Sequence, residues 1–292
     1  MHADEVHTDV RLVRALLAAQ FPQWAALPVA RVASSGTDNA LYRIGADLVA
    51  RLPRIERVVP QVRKERRWLP RLAPLLPLPV PVPVAVGAPG AGYPWPWSVC
   101  PWLPGANPTT ADAGDDRALA VALARFVVAL RTVDATGGPS PGEHNVYRGV
   151  PLALREEATR AAIASLRGMI DTDAATAAWD AALRTPAWAG SPVWIHGDLS
   201  AGNILVRDGR LAAVIDFGCL GVGDPACDLI AAWNLLRGDA REAFRAEVGV
   251  DAAAWSRGRG WALSMALIQL PYYKDTNPAL AASARHVIAQ LI

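Results

Sequence analysis

The chain has 292 residues, of which 52% are hydrophobic and 19% charged, and its formal net charge is +2. A charge this close to zero excludes the broad basic surface that binds nucleic acid or an anionic membrane, and the composition excludes a mainly disordered chain. Of the 29 basic residues, only Lys64 and Lys274 are lysines. The length and composition predict a globular protein of one large domain or two.

The cysteines and the N-terminus bear on the cellular compartment. The three cysteines, Cys100, Cys219 and Cys227, are odd in number and lack the short spacing of a zinc pair or a redox motif. The acidic N-terminus lacks the basic start of a signal peptide. The uncharged run at 72–111 holds 11 of the 24 prolines, too many for a membrane helix. We therefore expect a cytoplasmic protein without a membrane segment.

The N-terminal third predicts a small sheet with helices. An amphipathic helix over 8–19 comes first. Three short antiparallel strands follow, at 29–33, 40–44 and 48–52. Residues 58–72 have apolar side chains at helical spacing, which predicts a helix packed on that sheet. The proline-rich run adds one or two strands, near 80–86 and 97–100.

Beyond Gly105 the pattern becomes helical, with one interruption. Helices are predicted at 116–133, 152–170, 172–184, 225–236, 252–270 and 278–292. Asn277 followed by Pro278 is a typical helix start. The interruption at 192–224 contains strand-like segments at 193–195, 204–206 and 211–215. We therefore predict an α+β fold with two lobes: a sheet-rich lobe over 1–104, a hinge at about 99–105, and a helical lobe over 105–292, with a ligand cleft between the lobes.

A hairpin in the interruption brings two polar side chains together. Asp208 and Gly209 are a strong two-residue turn sequence. The predicted pairs are Val206 with Leu211, Ile204 with Ala213, and Asn203 with Val214. Asp216 then lies at the same open end of the hairpin as Asn203. An amide oxygen and a carboxylate placed in this way suit Mg²⁺, which completes its shell with water and phosphate.

The residues before the hairpin carry a candidate base. Asp198 lies in a glycine-flanked loop five residues before Asn203, where it can accept a proton from a nucleophile. The pattern His-x-Asp, an Asn five residues after the Asp, and Asp-Phe-Gly 13 residues after that Asn matches the spacing of a kinase catalytic loop. Each motif alone is weak evidence for a kinase-like catalytic loop, but the joint pattern would occur by accident much more rarely.

These motifs resemble those of the aminoglycoside phosphotransferase family of kinase-like enzymes. The resemblance is carried by segments 196–206, 214–218 and 221–229, and upstream by 35–43, 48–53, 92–98 and 102–105. It covers roughly residues 8 to 290. It implies a protein-kinase-like fold and transfer of the γ-phosphate of ATP, or of GTP, to a hydroxyl of a small molecule.

The resemblance also implies roles for single residues. Asp198 would orient the substrate hydroxyl and take its proton, while Asn203 and Asp216 would hold Mg²⁺. His196 would be structural, and Asp224 and Asp228 would brace the loop. The nucleotide would contact a phosphate-covering turn formed by Ser34, Ser35, Gly36 and Thr37. It would also contact the backbone of the hinge, formed by Cys100, Pro101 and Trp102.

Two departures from kinase patterns are visible. Protein kinases carry a lysine two residues after the catalytic Asp, and Ser200 stands there, which favours a small-molecule substrate. Many kinases also place a strand lysine against the α- and β-phosphates, but neither Lys64 nor Lys274 lies on such a strand. Arg51, which can grip phosphate bidentately, is our candidate for this role, with Glu65 as its partner and Arg54 as the competing arginine.

The substrate remains open at this stage. An aminoglycoside-type antibiotic is the first expectation, and a macrolide or a metabolite the alternative. The acids Glu156, Glu157, Asp171 and Asp173 could line a pocket for a cationic substrate or be solvated helix charges. A non-catalytic nucleotide-binding regulator and a metal-dependent hydrolase using His196 and Asp198 are the other candidate functions. No nucleic acid, membrane or obligate protein partner is expected.

Overall fold

A five-stranded antiparallel sheet forms the N-terminal lobe in the computed structural model, which describes residues 5–33, 36, 38–108 and 116–292. Its strands are β1 (Val29–Arg31), β2 (Asn39–Ile44), β3 (Leu48–Pro53), β4 (Ala85–Gly87) and β5 (Trp97–Pro101). They pair in the order β1-β2-β3-β5-β4. The first three confirm the predicted strands. Strand β4 is shorter than the predicted 80–86 and lies later, because Pro81 and Pro83 have no N–H to donate to a ladder.

Helices make up most of the C-terminal lobe. Two helices precede it in the N-terminal third, α1 (Val10–Gln20) and α2 (Val59–Leu72). The helices of the C-terminal lobe are α3 (Arg117–Thr132), α4 (Glu156–Ser165), α5 (Thr172–Leu183), α6 (Ala231–Asn234), α7 (Gly238–Val248), α8 (Ala252–Tyr273) and α9 (Pro278–Leu291). The lobe is held together by a large apolar core to which α3, α8 and α9 all contribute. Across the described ranges, none of the helices has both the length and the apolar character needed to span a membrane.

The helix starts follow the capping residues in the sequence. Asp9 accepts a hydrogen bond from the Leu12 N–H at 2.8 Å and begins α1. Asn277 accepts one from the Leu280 N–H at 3.2 Å and begins α9, with Pro278 in the first turn, as predicted. These side chains satisfy N–H groups that have no partner within the helix.

Two helical predictions needed correction, and one helix was missed. The predicted helix over 152–170 is a 3₁₀ turn (Leu152–Arg155) followed by the shorter α4, and Gly168 has a φ of +79° in the turn beyond it. The predicted helix over 225–236 is mostly a 3₁₀ segment (Pro225–Ile230) before α6. Helix α7 was not predicted, because two of its four buried residues are alanines and give little hydrophobic periodicity.

Helix α2 joins the two lobes instead of packing only on the sheet. Its apolar residues Trp68, Leu69 and Leu72 belong to the core of the C-terminal lobe, and the Trp68 ring lies 4.9 Å from the ring of Trp194. These residues are concentrated toward the C-terminal end of the helix. The prediction that α2 packs on the sheet was therefore incomplete, since much of its apolar face packs against the other lobe.

The hairpin consists of β7 (Ile204–Arg207) and β8 (Arg210–Val214). Asp208 and Gly209 form its turn with φ values of +52° and +70°, as a two-residue turn of this kind requires. Val206 pairs with Leu211 as predicted, but the register shifts between Leu205 and Val206. Beyond the shift, Leu205 pairs with Ala213 and Ile204 with Val214. The predicted pairs of Ile204 and Asn203 were therefore wrong by one residue.

A second two-stranded ladder leads into the loop that contains Asp198. Strand β6 (Val193–Ile195) pairs antiparallel with β9 (Gly221–Gly223). The sequence Gly-Val-Gly of β9 has no strand periodicity, and this strand was not predicted. Because β9 follows Asp216 and β6 precedes Asp198, the ladder holds the two ends of the candidate site side by side.

Candidate active site

The loop after β6 is fixed by a buried carboxylate. Asp228 accepts hydrogen bonds from the backbone N–H groups of His196, at 2.8 Å, and Gly197, at 2.7 Å. Burial raises the pKa of Asp228, while the hydrogen bonds from these two N–H groups oppose the rise. Gly197 has a φ of +82°, and a Cβ there would lie 2.8 Å from the Cys219 carbonyl oxygen. The loop can therefore take this path only with glycine at 197.

His196 is a structural residue of this loop. Its ring is fully buried and lies 4.7 Å from the ring of Phe217. Nδ1 lies 3.2 Å from the Asp198 N–H, and Nε2 lies 3.0 Å from the Ile215 carbonyl oxygen. A neutral ring with its proton on Nε2 satisfies both contacts. Because neither nitrogen has a free lone pair, His196 does not suit the metal-ligand role of the hydrolase alternative.

Asp198 and Asn203 form a directly bonded pair. The Asn203 Nδ2 donates to the Asp198 carbonyl oxygen at 2.7 Å and to its Oδ2 at 3.0 Å. Both donor hydrogens of the amide are thereby used, and the amide Oδ1 is left as an acceptor. Burial raises the pKa of Asp198, and the positive charge of Arg148 opposes the rise. The arrangement fixes the Asp198 carboxylate and leaves Asn203 one oxygen for a cation.

Asp216 completes an oxygen donor set with Asn203. The Ile215 N–H donates to the Asn203 carbonyl oxygen at 2.9 Å, which holds the two segments together. Asp216 has a left-handed backbone with φ of +62°, and its Oδ1 accepts from the Gly218 N–H at 3.3 Å. Its side chain is 43% exposed. One amide oxygen and one accessible carboxylate fit Mg²⁺, which needs few protein ligands.

The described ranges contain no group of three or more His, Cys, Asp or Glu side chains placed to hold a metal ion. The candidate Mg²⁺ site does not depend on such a group, since its second donor is the Asn203 amide.

The predicted pair of Arg51 and Glu65 is present. Arg51 Nη1 lies 2.7 Å from Glu65 Oε2, and Arg51 Nη2 lies 3.6 Å from Asp216 Oδ1. Burial alone would lower the pKa of Arg51, but the attraction of Glu65 and Asp216 outweighs burial and raises it. Glu65 is 2% exposed, so it is not a solvated helix charge. Arg54 pairs instead with Glu5, at 3.3 Å.

The backbone of the hinge at 100–102 has one of its N–H groups already bonded. The Trp102 N–H donates to the Asp47 carbonyl oxygen at 2.7 Å, so this group is not available to adenine, and the expected nucleotide contact at the hinge stays a prediction. Cys100 is fully buried on β5, with its Cα opposite Val49 on β3. In an extended chain, the C=O of one residue and the N–H of the next point in opposite directions. Because the Trp102 N–H points toward β3, the Pro101 carbonyl points away from β3, toward the part of the β5 edge that β4 does not cover.

The phosphate-covering turn lies mostly outside the described residues. Ser34, Ser35 and Thr37 are outside them. Gly36 is described and is exposed between β1 and β2.

Two cationic residues of the site were missed from the sequence. Arg148 is buried, and its Nη2 lies 3.9 Å from Asp198 Oδ1. Lys64 is also buried, and its ammonium contacts the Gly218 carbonyl oxygen. No motif marks Arg148. Lys64 could have been noticed as one of two lysines and as the neighbour of Glu65 in the sequence.

Two of the acids considered for a substrate pocket have structural partners. Glu156 pairs with Arg160 at 2.9 Å on the surface of α4. Asp171 caps α5 by accepting from the N–H groups of Asp173 and Ala174. These contacts favour the solvated-charge interpretation for Glu156 and a capping role for Asp171.

The chain is similar in sequence to a known family of proteins. The model of the family described as "Phosphotransferase enzyme family" matches residues 29–261. A curated aminoglycoside 3′-phosphotransferase of Escherichia coli is 40% identical over 58 residues, which are 20% of this chain. The matched stretch spans only 21% of that relative's length.

Solved structures match over nearly the whole chain. A GDP and kanamycin complex of the phosphotransferase APH(2″)-IIIa is 19% identical, with a TM-score of 0.74 over 95% of this chain and 97% of that chain. The macrolide 2′-phosphotransferase MphH of Brachybacterium faecium is 25% identical, with a TM-score of 0.64 over 96% of this chain and 97% of that one. The first of these similarities confirms the predicted two-lobed kinase-like fold.

Proposed function

This chain belongs to the phosphotransferase enzyme family, and from that premise we propose that it transfers the γ-phosphate of a nucleoside triphosphate to a hydroxyl of a small molecule. The observation that carries the proposal is the contact network that joins Asp198, Asn203 and Asp216 at one end of the hairpin. A base and two metal donors are among the parts that phosphoryl transfer uses.

In the proposed reaction the substrate oxygen forms a bond to the γ-phosphorus while the bond between that phosphorus and the β,γ-bridging oxygen breaks. Asp198 holds the hydroxyl in line and accepts its proton, and the nucleoside diphosphate leaves. Bound Mg²⁺ would neutralise phosphate charge, and Asn203 Oδ1 and the Asp216 carboxylate would hold it. The chain's own contribution is mainly positioning and electrostatics.

Arg51 is the proposed phosphate-binding cation. It reaches from β3 to within 3.6 Å of Asp216, so its charge stands beside the proposed metal. Glu65 holds the guanidinium from the side of α2. The nucleotide base would lie against the hinge, where the Pro101 carbonyl can accept a hydrogen bond from an amino group. ATP meets this requirement through its adenine amino group, and GTP is the alternative.

An aminoglycoside is the first proposed substrate class, because relatives named for that activity match the chain in sequence and in structure. A macrolide is the second candidate. The 25% identity with the macrolide 2′-phosphotransferase extends over 96% of the chain, whereas the aminoglycoside 3′-phosphotransferase match spans 58 residues. Both classes offer a hydroxyl as the acceptor.

The test is nucleotide turnover by the purified protein with a panel of aminoglycosides, macrolides and hydroxylated metabolites, with products read as a phosphate mass shift. We expect one class to be phosphorylated and Asp198→Ala to lose that activity by about 10²- to 10⁴-fold. Full activity in Asp198→Ala would contradict the assignment of the base. Nucleotide binding that is independent of Mg²⁺ and gives no product would support the regulator alternative.

A further inference from the structure

Lys64 is held by three hydrogen bonds between the lobes. Its Nζ lies 2.7 Å from the Gly218 carbonyl oxygen, 3.0 Å from the His144 carbonyl oxygen and 3.1 Å from His144 Nδ1. His144 Nε2 lies 2.8 Å from the Ser140 carbonyl oxygen. A ring protonated on Nε2 donates to Ser140 and leaves Nδ1 as an acceptor. All three ammonium hydrogens thus have a partner.

These bonds end on the segment that carries the proposed metal ligand. Gly218 is two residues after Asp216, and its N–H donates to Asp216 Oδ1 at 3.3 Å. The same short 3₁₀ turn (Phe217–Cys219) therefore receives Lys64 at a carbonyl group and supports Asp216 through an N–H group. A shift of the turn away from α2 would move both groups together.

Lys64 and its neighbour Glu65 connect α2 to two different parts of the site. Glu65 pairs with Arg51 on β3, and Arg51 in turn lies 3.6 Å from Asp216. Lys64 reaches Asp216 through Gly218. Two chains of contacts therefore lead from α2 to Asp216. One runs from Glu65 through the Arg51 side chain, and the other runs from Lys64 through the backbone of Gly218.

Burial of the Lys64 ammonium without an opposite charge in contact with it is energetically unfavourable. Lys64 is 8% exposed, and the described residues within 4 Å include no carboxylate partner for its Nζ. Two of its three acceptors are neutral carbonyl oxygens and the third is a ring nitrogen. An apolar residue at this position would leave these three buried acceptors without donors, which is unfavourable.

We infer that Lys64 is a positioning residue for the metal ligand: its ammonium fixes the turn after Asp216 to helix α2, so that the Asp216 carboxylate faces the proposed Mg²⁺ beside Arg51. Lys64 touches neither nucleotide nor metal in this assignment and acts through Asp216. The inference rests on the proposed function, because it presupposes a Mg²⁺–nucleotide complex.

The test measures binding instead of turnover. A non-hydrolysable ATP analogue is titrated into the full chain with and without Mg²⁺, and the ratio of the two affinities gives the gain due to the metal. In Lys64→Met we expect this gain to fall by about 10-fold or more, as for other residues that orient a metal ligand. Lys64→Arg, which keeps a cationic donor, should restore part of it. The matched control is Lys274→Met, a change of the exposed lysine, which should leave the gain intact.

Melting temperature and circular dichroism are recorded for each variant. If Lys64→Met does not fold, His144→Ala provides the second test, since it removes one acceptor and should lower the gain due to Mg²⁺ less severely. A folded Lys64→Met or His144→Ala variant with the gain of the parent protein overturns the inference. Loss of stability with an unchanged gain would do the same. A parent protein that binds the analogue without any effect of Mg²⁺ overturns the proposed function itself, and the inference with it.

Discussion

The Arg51 guanidinium lies 2.7 Å from the Glu65 carboxylate, and both side chains are almost completely buried between β3 and α2. The pair places a cation on strand β3, where neither of the two lysines of the chain lies. Because the guanidinium also approaches Asp216, the pair connects the strand of one lobe to the metal segment of the other.

Removal of either member of this pair should damage both stability and nucleotide binding. We expect Arg51→Met to reduce the free energy of unfolding by about 3–5 kcal/mol, because Glu65 would be left as an unpaired buried charge. Arg51→Lys should be milder in stability but should still weaken nucleotide affinity, since an ammonium cannot contact Glu65 and phosphate with the same fork. Chemical denaturation and nucleotide titration measure the two effects. Equal nucleotide affinity in all three proteins would refute the phosphate role of Arg51.

Asn203 has two proposed roles, as an oxygen ligand of Mg²⁺ and as an N–H donor to Asp198, and two substitutions test them. Asn203→Ala removes the oxygen ligand together with the N–H donor, and we expect higher Mg²⁺ concentrations to be needed for turnover. Asn203→Asp keeps an oxygen but places a second carboxylate next to Asp198, where the Asn203 Nδ2 now lies 3.0 Å from Oδ2. Like charges raise the pKa of one member of such a pair, so the acidic limb of the pH–rate profile should move to higher pH. An unchanged profile would mean that the two groups are not coupled.

Arg148 should act on the rate more than on binding. Its guanidinium lies 3.9 Å from Asp198, so Arg148→Met should leave the base less well oriented and lower kcat by up to about 100-fold, with little change in the KM for nucleotide. Arg148→Lys should recover part of the loss. The control is Arg160→Met, since Arg160 is a surface residue paired with Glu156 and Asp180. If KM rises while kcat is unaffected, Arg148 contributes to binding and not to the orientation of Asp198.

The burial of Lys64 predicts a pH dependence of stability. Burial lowers the pKa of Lys64 to about 8 from its ordinary value of 10.5, although Cys219, Glu65 and Asp216 oppose the change. Between these two values the unfolded chain binds the proton more tightly, so the folded state gains relative stability as pH rises. The unfolding free energy of the parent minus that of Lys64→Met should increase by up to ~3 kcal/mol from pH 8 to pH 10.5. Denaturation curves at these values measure it, and a difference independent of pH would contradict the lowered pKa.

The elements of the site were predictable because their information is local. Turn residues at Asp208 and Gly209 and the spacing of Asp198, Asn203 and Asp216 placed the base and the metal donors at one end of a hairpin. The register was missed because the shift at Leu205 and Val206 leaves no mark in the sequence. The pair of Arg51 and Glu65 could be inferred only with the help of the family resemblance.

Contacts between distant segments could not be read from the sequence. The Trp102 N–H bond to Asp47 depends on how β3 and β5 align, and Arg148 reaches Asp198 across 50 residues of chain. Helix α2 was misjudged because periodicity shows which face is apolar but not which lobe covers that face. Residues 34, 35 and 37 stay predictions, since they lie outside the described part of the chain.

The two lysines of the chain differ in their access to reagents. Lys64 is buried and donates all three of its hydrogens, while Lys274 is exposed beyond the end of α8. Acylating nucleotide probes that label kinases at a strand lysine would find an arginine in this protein, and their failure to react should not be taken as absence of a nucleotide site. The same distribution makes Lys274 a single lysine handle, far along the sequence from Asp198, through which a fluorophore or a surface linker can be attached.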